Sequence, residues 1–211
     1  MWLMPKTDLK REIATYSARH GRFDIVDVAP ARFLMVDGEG DPNTSTSYSD
    51  AVSTLYPVAY RLKFFSKTEL DRDFVVMPLE ALWWADDYAS FTSARDKSQW
   101  RWTAMILTPE WLSDAHVEAA RTAVATKGGA PSLDALRCET LDEGLAVQTL
   151  HIGPYDAEGP VLDRLHREFV PANGLHETGH HHEIYLGDAR RTAPDKLRTI
   201  LRQPVRRATG G

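Results

Sequence analysis

Cysteine is almost absent from this chain. The one thiol, Cys138, has no partner for an internal disulfide, and such usage fits a reducing compartment. It stands in Leu136–Leu141 with no activating base beside it and reads as a structural thiol. Long apolar runs are missing as well: nothing approaches the ~18–20 residues of a membrane span. Met1–Lys6 lacks the apolar centre of a signal peptide, so the chain reads as soluble and cytoplasmic, with no membrane partner. No large excess of basic charge exists either. The net charge of −5 argues against a nucleic-acid-binding face spread over the molecule, and no nucleic-acid partner is expected. The glycines form no phosphate-binding loop, and no spacing suggests a serine or cysteine nucleophile. His180-His181-His182 is the one histidine run. Adjacent ligands on a strand point apart, and no cysteine or second histidine pair supports a site, so neither a metal nor a cofactor is expected.

What remains is an ordinary globular composition, 43% apolar and 26% charged, in 211 residues that can bury a full core. Phe23–Met35, broken by Pro30, reads as two strands or one bent strand, and Gly38–Pro42 as a turn. Ser47–Lys67 reads as a helix through Ala51, Leu55, Ala59 and Leu62, with Pro57 predicting a kink. Phe74–Trp84 and Gln99–Leu107 read as a strand pair joined by a polar loop containing Ser90, Ser93 and Asp96. Thr108-Pro109-Glu110 predicts a helix start, and Gly128-Gly129 its end.

The pattern then repeats. Leu136–Leu141 and Ala146–Ile152 read as strands, Ala157–Val170 as a helix, and His181–Leu186 and Leu197–Val205 as strands. Each half therefore reads strand–helix–strand–strand, which predicts an α+β fold with a largely antiparallel sheet and a cleft between the halves. The predicted organisation is a single domain over 1–211. Residues 22–107 form the first repeat, 108–134 the connecting helix and linker, and 135–206 the second repeat.

Two carboxylates stand inside apolar strand segments, Glu80 in Met77–Trp84 and Glu183 in His181–Leu186. A buried carboxylate is costly without a partner, so such residues are candidates for function. Aligned on the repeats, the two fall at equivalent points. Residues two apart on a strand share a face, so Glu183 and Tyr185 project together, as do Trp100 and Trp102, and Glu80, Leu82 and Trp84 share a face with Trp83 opposite. If the first faces line the cleft, it has aromatic walls and a carboxylate floor, suited to a planar or cationic aromatic ligand. The competing structural reading pairs Glu183 with Arg101, Arg190 or Arg191. His151 reads as a core histidine, and Tyr155 as either a cleft residue or a corner.

Glu143–Tyr155, Glu183–Leu186 and Lys196–Val205, with Met77–Trp84 and Trp100–Ile106 in the first half, resemble the GyrI-like small-molecule-binding domain over 22–206. More narrowly they are similar to its stand-alone bacterial members. The resemblance implies two strand–helix–strand–strand units related by a pseudo-twofold, with the ligand cleft between them. Drug-sensing relatives carry a DNA-binding helix-turn-helix, for which too few residues precede the first strand here. Some stand-alone members hydrolyse cyclopropylindole-type DNA-alkylating natural products, which implies a detoxifying hydrolase. Others imply multidrug binding or gyrase modulation. In the hydrolase reading Glu183 activates water, and Tyr185 or another phenol donates to the substrate carbonyl. Glu80, Trp84, Trp100, Trp102 and Tyr155 are then substrate-binding candidates. Oligomeric state, including a homodimer, stays open.

Overall fold

The computed structural model describes residues 6–85 and 97–208. The polar loop expected around Ser90, Ser93 and Asp96 lies outside the described residues. Among the described residues nine strands form an antiparallel sheet: β1 (Asp24–Val28), β2 (Ala31–Glu39), β3 (Glu80–Trp84), β4 (Arg101–Thr108), β5 (Arg137–Leu141), β6 (Gly144–Ile152), β7 (Leu175–Glu177), β8 (His181–Tyr185) and β9 (Arg198–Arg207). Their order across the sheet is β1-β6-β9-β8-β3-β4-β2-β5, with β7 added beside β9. The central stretches of β2, β4 and β6 are buried on both faces, which explains why they read as continuous apolar runs rather than alternating ones.

The expected strand–helix–strand–strand order appears in both halves. β2, helix α2 (Thr46–Glu69), β3 and β4 make the first unit. β6, helix α4 (Gly159–Arg164), β8 and β9 make the second, with α3 (Asp114–Lys127) between the units and a one-turn α1 (Leu9–Glu12) ahead of both. The units meet where β3 pairs with β8. Two-residue links, Ala29-Pro30 and Asp142-Glu143, carry β1 into β2 and β5 into β6. Val28 pairs with Gly144 and Ala31 with Leu141, so these links draw the outer strands of the sheet together.

Several boundaries differ from the sequence expectation. Pro109 starts a turn closed by Leu112 N–H to the Pro109 carbonyl, and α3 begins only at Asp114, where the Ser113 N–H donates to the His116 imidazole. The strand expected from Phe74 starts at Glu80, because Pro78 has no N–H for a ladder. Pro57 lies within α2 without ending it. The helix expected over Ala157–Val170 is interrupted by a π turn at Leu165–Phe169, followed by α5 (Val170–Ala172). Gly38 is part of β2 rather than a turn. The Trp102 indole lies across it, and a Cβ there would sit 2.2 Å from the ring.

One face of the β3–β8 seam carries a buried charged network. His182 lies between two carboxylates, with Nε2 at 2.9 Å from Glu80 and Nδ1 at 3.0 Å from Glu143. Arg202 reaches Glu143 at 2.8 Å, Gln148 at 3.1 Å and the Thr15 carbonyl at 2.8 Å, and the Tyr16 hydroxyl donates to Glu80. The two carboxylates therefore face two cations, which removes most of the penalty of burying any one charge. The same contacts bind the segment before β1 to the sheet. Burial pushes the His182 imidazole down, but Glu143 and then Glu80 outweigh it and bring the group up to about 9. Burial likewise pushes Glu143 up, and His182 with Arg202 outweighs it and brings the carboxyl down to about 2.

Stability supplied by His182 is complete below its ordinary value of 6.5 and is lost as pH rises through about 9. That of Glu143 is complete above its ordinary value of 4.5 and is lost as pH falls toward about 2. The melting temperature should therefore fall on raising pH from 6.5 to 9, and His182→Asn should remove most of that slope; a slope unchanged in the variant would place the titration elsewhere. Gly38→Ala should cost about 1–3 kcal/mol in a denaturant titration, because the methyl must displace the Trp102 ring. A wild-type midpoint would refute the close approach.

Candidate functional site

The opposite face of the seam is the floor of a cavity of about 980 Å³, a volume that accommodates a drug-sized molecule. Its position follows from register. Ala81 pairs with Glu183 and Trp83 with His181, and directly paired residues project to the same side. Trp83, His181, Glu183 and Tyr185 therefore share this face, and all four line the cavity. One wall comes from α2, whose Tyr48, Val52, Tyr56 and Tyr60 recur every four residues and so form one stripe. The other comes from Pro154, Tyr155 and Glu158, just before α4, and from Leu162 within it. Trp100, the segment from Val75 to Leu79 and the stretch from Leu186 to Arg190 also line it.

Glu183 is mostly buried, with 13% of its side chain exposed. The Tyr185 hydroxyl donates to its Oε2 at 2.8 Å and itself accepts the Trp83 Nε1–H at 3.0 Å. His181 Nε2 stands 3.6 Å from Oε1. Among the described residues no arginine forms an ion pair with Glu183, so the competing pairing with Arg101, Arg190 or Arg191 is not what the fold uses. Arg190 instead pairs with Asp188 at 3.1 Å, and Lys97 at the rim pairs with Asp156 at 3.0 Å. Tyr48 stacks on Trp83, with centroids 5.8 Å apart, and Tyr155 meets the Tyr185 ring edge-on at 5.4 Å. Burial first, and then the Glu183 charge, pushes the Tyr185 and Tyr48 phenols up. Burial, Glu158 and Glu183 bring Tyr155 up to about 12. All three phenols keep their protons at neutral pH and serve as hydrogen-bond donors.

The model of the GyrI-like small-molecule-binding domain matches residues 22–206, nearly the whole chain. The chain belongs to this family. The structure is similar to that of an uncharacterized conserved protein from Listeria innocua, 35% identical, with a TM-score of 0.86, covering 95% of this chain and 100% of that one. A hydrolase from the same organism is 35% identical with a TM-score of 0.81 over the same shares. Another Listeria innocua hydrolase, encoded by lin2189, is 34% identical with a TM-score of 0.83, covering 96% of this chain and 100% of that one. No curated protein matches the chain by sequence.

Within this GyrI-like cavity the structure brings together Glu183, Tyr185, Trp100 and Tyr155 of the residues expected at the site. It separates three others from it. Glu80 pairs in register with Ile184, so it projects to the other face, into the charged network. The expectation of two equivalent carboxylates facing one cleft is corrected by this register. Trp84 shares Glu80's face and stacks on His180 at 4.2 Å. Trp102 is on the cavity side but wholly buried, beneath Tyr48 and across Gly38.

Glu158 is a further buried carboxylate on the cavity wall, which the sequence does not single out, and Trp83, Tyr48 and His181 were also missed as cavity residues. The four-residue spacing of Tyr48, Tyr56 and Tyr60 was the available signal for the α2 wall. Glu158 carried none, because an acidic residue before a helix is ordinary. Among the described residues no group of three or more His, Cys, Asp or Glu is arranged to hold a metal.

Proposed function

We propose that this GyrI-like protein binds a planar aromatic molecule in the cavity and adds water across a strained cyclopropane fused to it, as in cyclopropylindole-type genotoxins. Glu183 is the general base. The observation that carries the reading is the pre-oriented Glu183 carboxylate, held by the Tyr185 hydroxyl at 2.8 Å between aromatic walls. Two relatives at 34–35% identity, described as hydrolases, support a hydrolytic rather than a purely sequestering role.

The chemistry needs few groups. Glu183 removes a proton from water as the water oxygen bonds the cyclopropane methylene. The ring bond breaks and its electron pair moves through the conjugated system onto the substrate carbonyl. Relief of ring strain supplies much of the driving force, so the protein's task is to orient water and to receive charge on the carbonyl oxygen. A phenol has one proton, and that of Tyr185 is directed at Glu183. Tyr185 therefore orients the base, and the donor to the carbonyl falls to Tyr155 or Tyr48, whose phenols stay protonated. Trp100 and Trp83 supply flat apolar surface against which a conjugated ring system stacks. Such a reaction disarms an alkylating agent and serves detoxification.

Turnover of a cyclopropylindole substrate by wild type and Glu183→Gln, read by absorbance and by the mass gain of one water, tests this. The variant should retain binding and lose roughly 10²–10⁴-fold in turnover, the usual worth of a general base. Tight binding by both proteins without water addition would make this a drug-sequestering module, with Glu183 as its recognition group for a cationic ligand.

A further inference from the structure

Behind Glu183 stands a histidine that the mechanism above does not use. His181 lines the cavity, and its side chain is only 12% exposed. Both its ring nitrogens are buried without a hydrogen bond among the described residues, and the nearest polar group is Glu183 Oε1 at 3.6 Å from Nε2. An imidazole with two unsatisfied nitrogens beside a catalytic carboxylate calls for a reason. The His166 ring, which does not line the cavity, meets it edge-on at 6.2 Å between centroids, an interplanar angle of 64°. His166 comes from the π turn that interrupts the helix over the sheet, and such turns often occur at functional sites. His166 Nδ1 is in turn 2.7 Å from Glu177 Oε1, and the Glu177 side chain is 37% exposed. Four titratable groups thus run from the cavity floor to solvent.

We propose that Glu183, His181, His166 and Glu177 form a proton path that returns the base to its reactive state after each turnover. This rests on the hydrolase reading of the same site. The proton that Glu183 takes from water passes from Oε1 to His181 Nε2, and the proton on the other His181 nitrogen leaves toward His166. His166 delivers a proton from Nδ1 to Glu177, and solvent takes it from there. The carbonyl oxygen, which has received the electron pair of the broken ring bond, is protonated separately, so the net change is addition of one water. With the ring centroids 6.2 Å apart, the step between the imidazoles is a water-mediated one in this proposal. The groups acting on His181 are Glu183, His166 and the neighbouring His182. Burial is the largest influence and holds the imidazole below its ordinary value, so His181 is neutral between turnovers and able to accept.

The test uses the full-length protein with a spirocyclopropyl cyclohexadienone indole as probe. His166→Asn lies outside the ligand cavity, and it should lower kcat by about 10²-fold with KM unchanged. Added imidazole should restore about tenfold of that loss. A wild-type kcat in His166→Asn, or a loss that imidazole does not reverse, would overturn the path. A second measurement needs no turnover and so separates this inference from the hydrolase reading. In ¹⁵N NMR titrations of the histidine rings, Glu177→Gln should shift the midpoints of both His166 and His181. A shift confined to His166 would show that the row is not coupled, whether or not the wild type adds water to the probe.

Discussion

The pairing of β3 with β8 is the constraint on which the rest depends. A strand shows alternate residues to opposite sides, and at this seam the two sides have opposite chemistry. One side holds Glu80, His182, Glu143 and Arg202, a set of charges that satisfy one another. The other holds Trp83, Glu183 and Tyr185, a carboxylate with neutral donors around it and a cavity above. A slip of β8 by one residue would carry His182 into the cavity and drive Glu183 into the packed network. Neither exchange is affordable, because a buried charge stripped of its partner is among the most destabilising changes a protein can suffer. The charged network thus fixes the register, and the register places Glu183 on the cavity floor.

This also explains what could be read from the sequence and what could not. The alternation within each strand was legible: Glu183 and Tyr185 do project together, and Trp83 does oppose Glu80. Which of the two alternating sets faces the cleft is not a property of one strand. It depends on pairing between strands about a hundred residues apart, and the sequence of either strand is compatible with both choices. The equivalence of Glu80 and Glu183 suggested by the repeats was therefore misleading. In the register observed, Glu183 stands opposite Ala81 and Glu80 opposite Ile184, so the two carboxylates went to different faces. The tryptophans failed as indicators for a related reason. A large indole serves equally as ligand wall or as core, and only packing separates Trp100, which lines the cavity, from Trp102, which is sealed beneath Tyr48.

The element order was legible because apolar periodicity is a local signal, and the terminal boundaries were less so. Thr108-Pro109 had the composition of a helix start, yet Pro109 was used for a turn, and the reciprocal Ser113 and His116 pair supplied the actual entry to α3. The π turn at Leu165–Phe169 has no local signature either, although it is what presents His166 to His181. Both are cases in which tertiary contacts select among local conformations of similar energy.

The two faces of the seam are linked through the backbone as well as through register. Glu80 is gripped from behind by His182 and Tyr16, and the residue before it, Leu79, offers its carbonyl to the Tyr185 N–H at 3.1 Å on the way into the cavity. The same stretch is pinned at its start, where Thr7 exchanges backbone bonds with Asp73 and Val75. Residues 75–79 thus run between two fixed points and line the cavity throughout. The charged network holds not only the strand register but the loop against which Tyr185 is set, and Tyr185 sets Glu183. A carboxylate carried on a strand and braced in this way has little freedom to reorient, which is what the proposed role of Glu183 as a general base requires, because a group held in position contributes more than one that must find it.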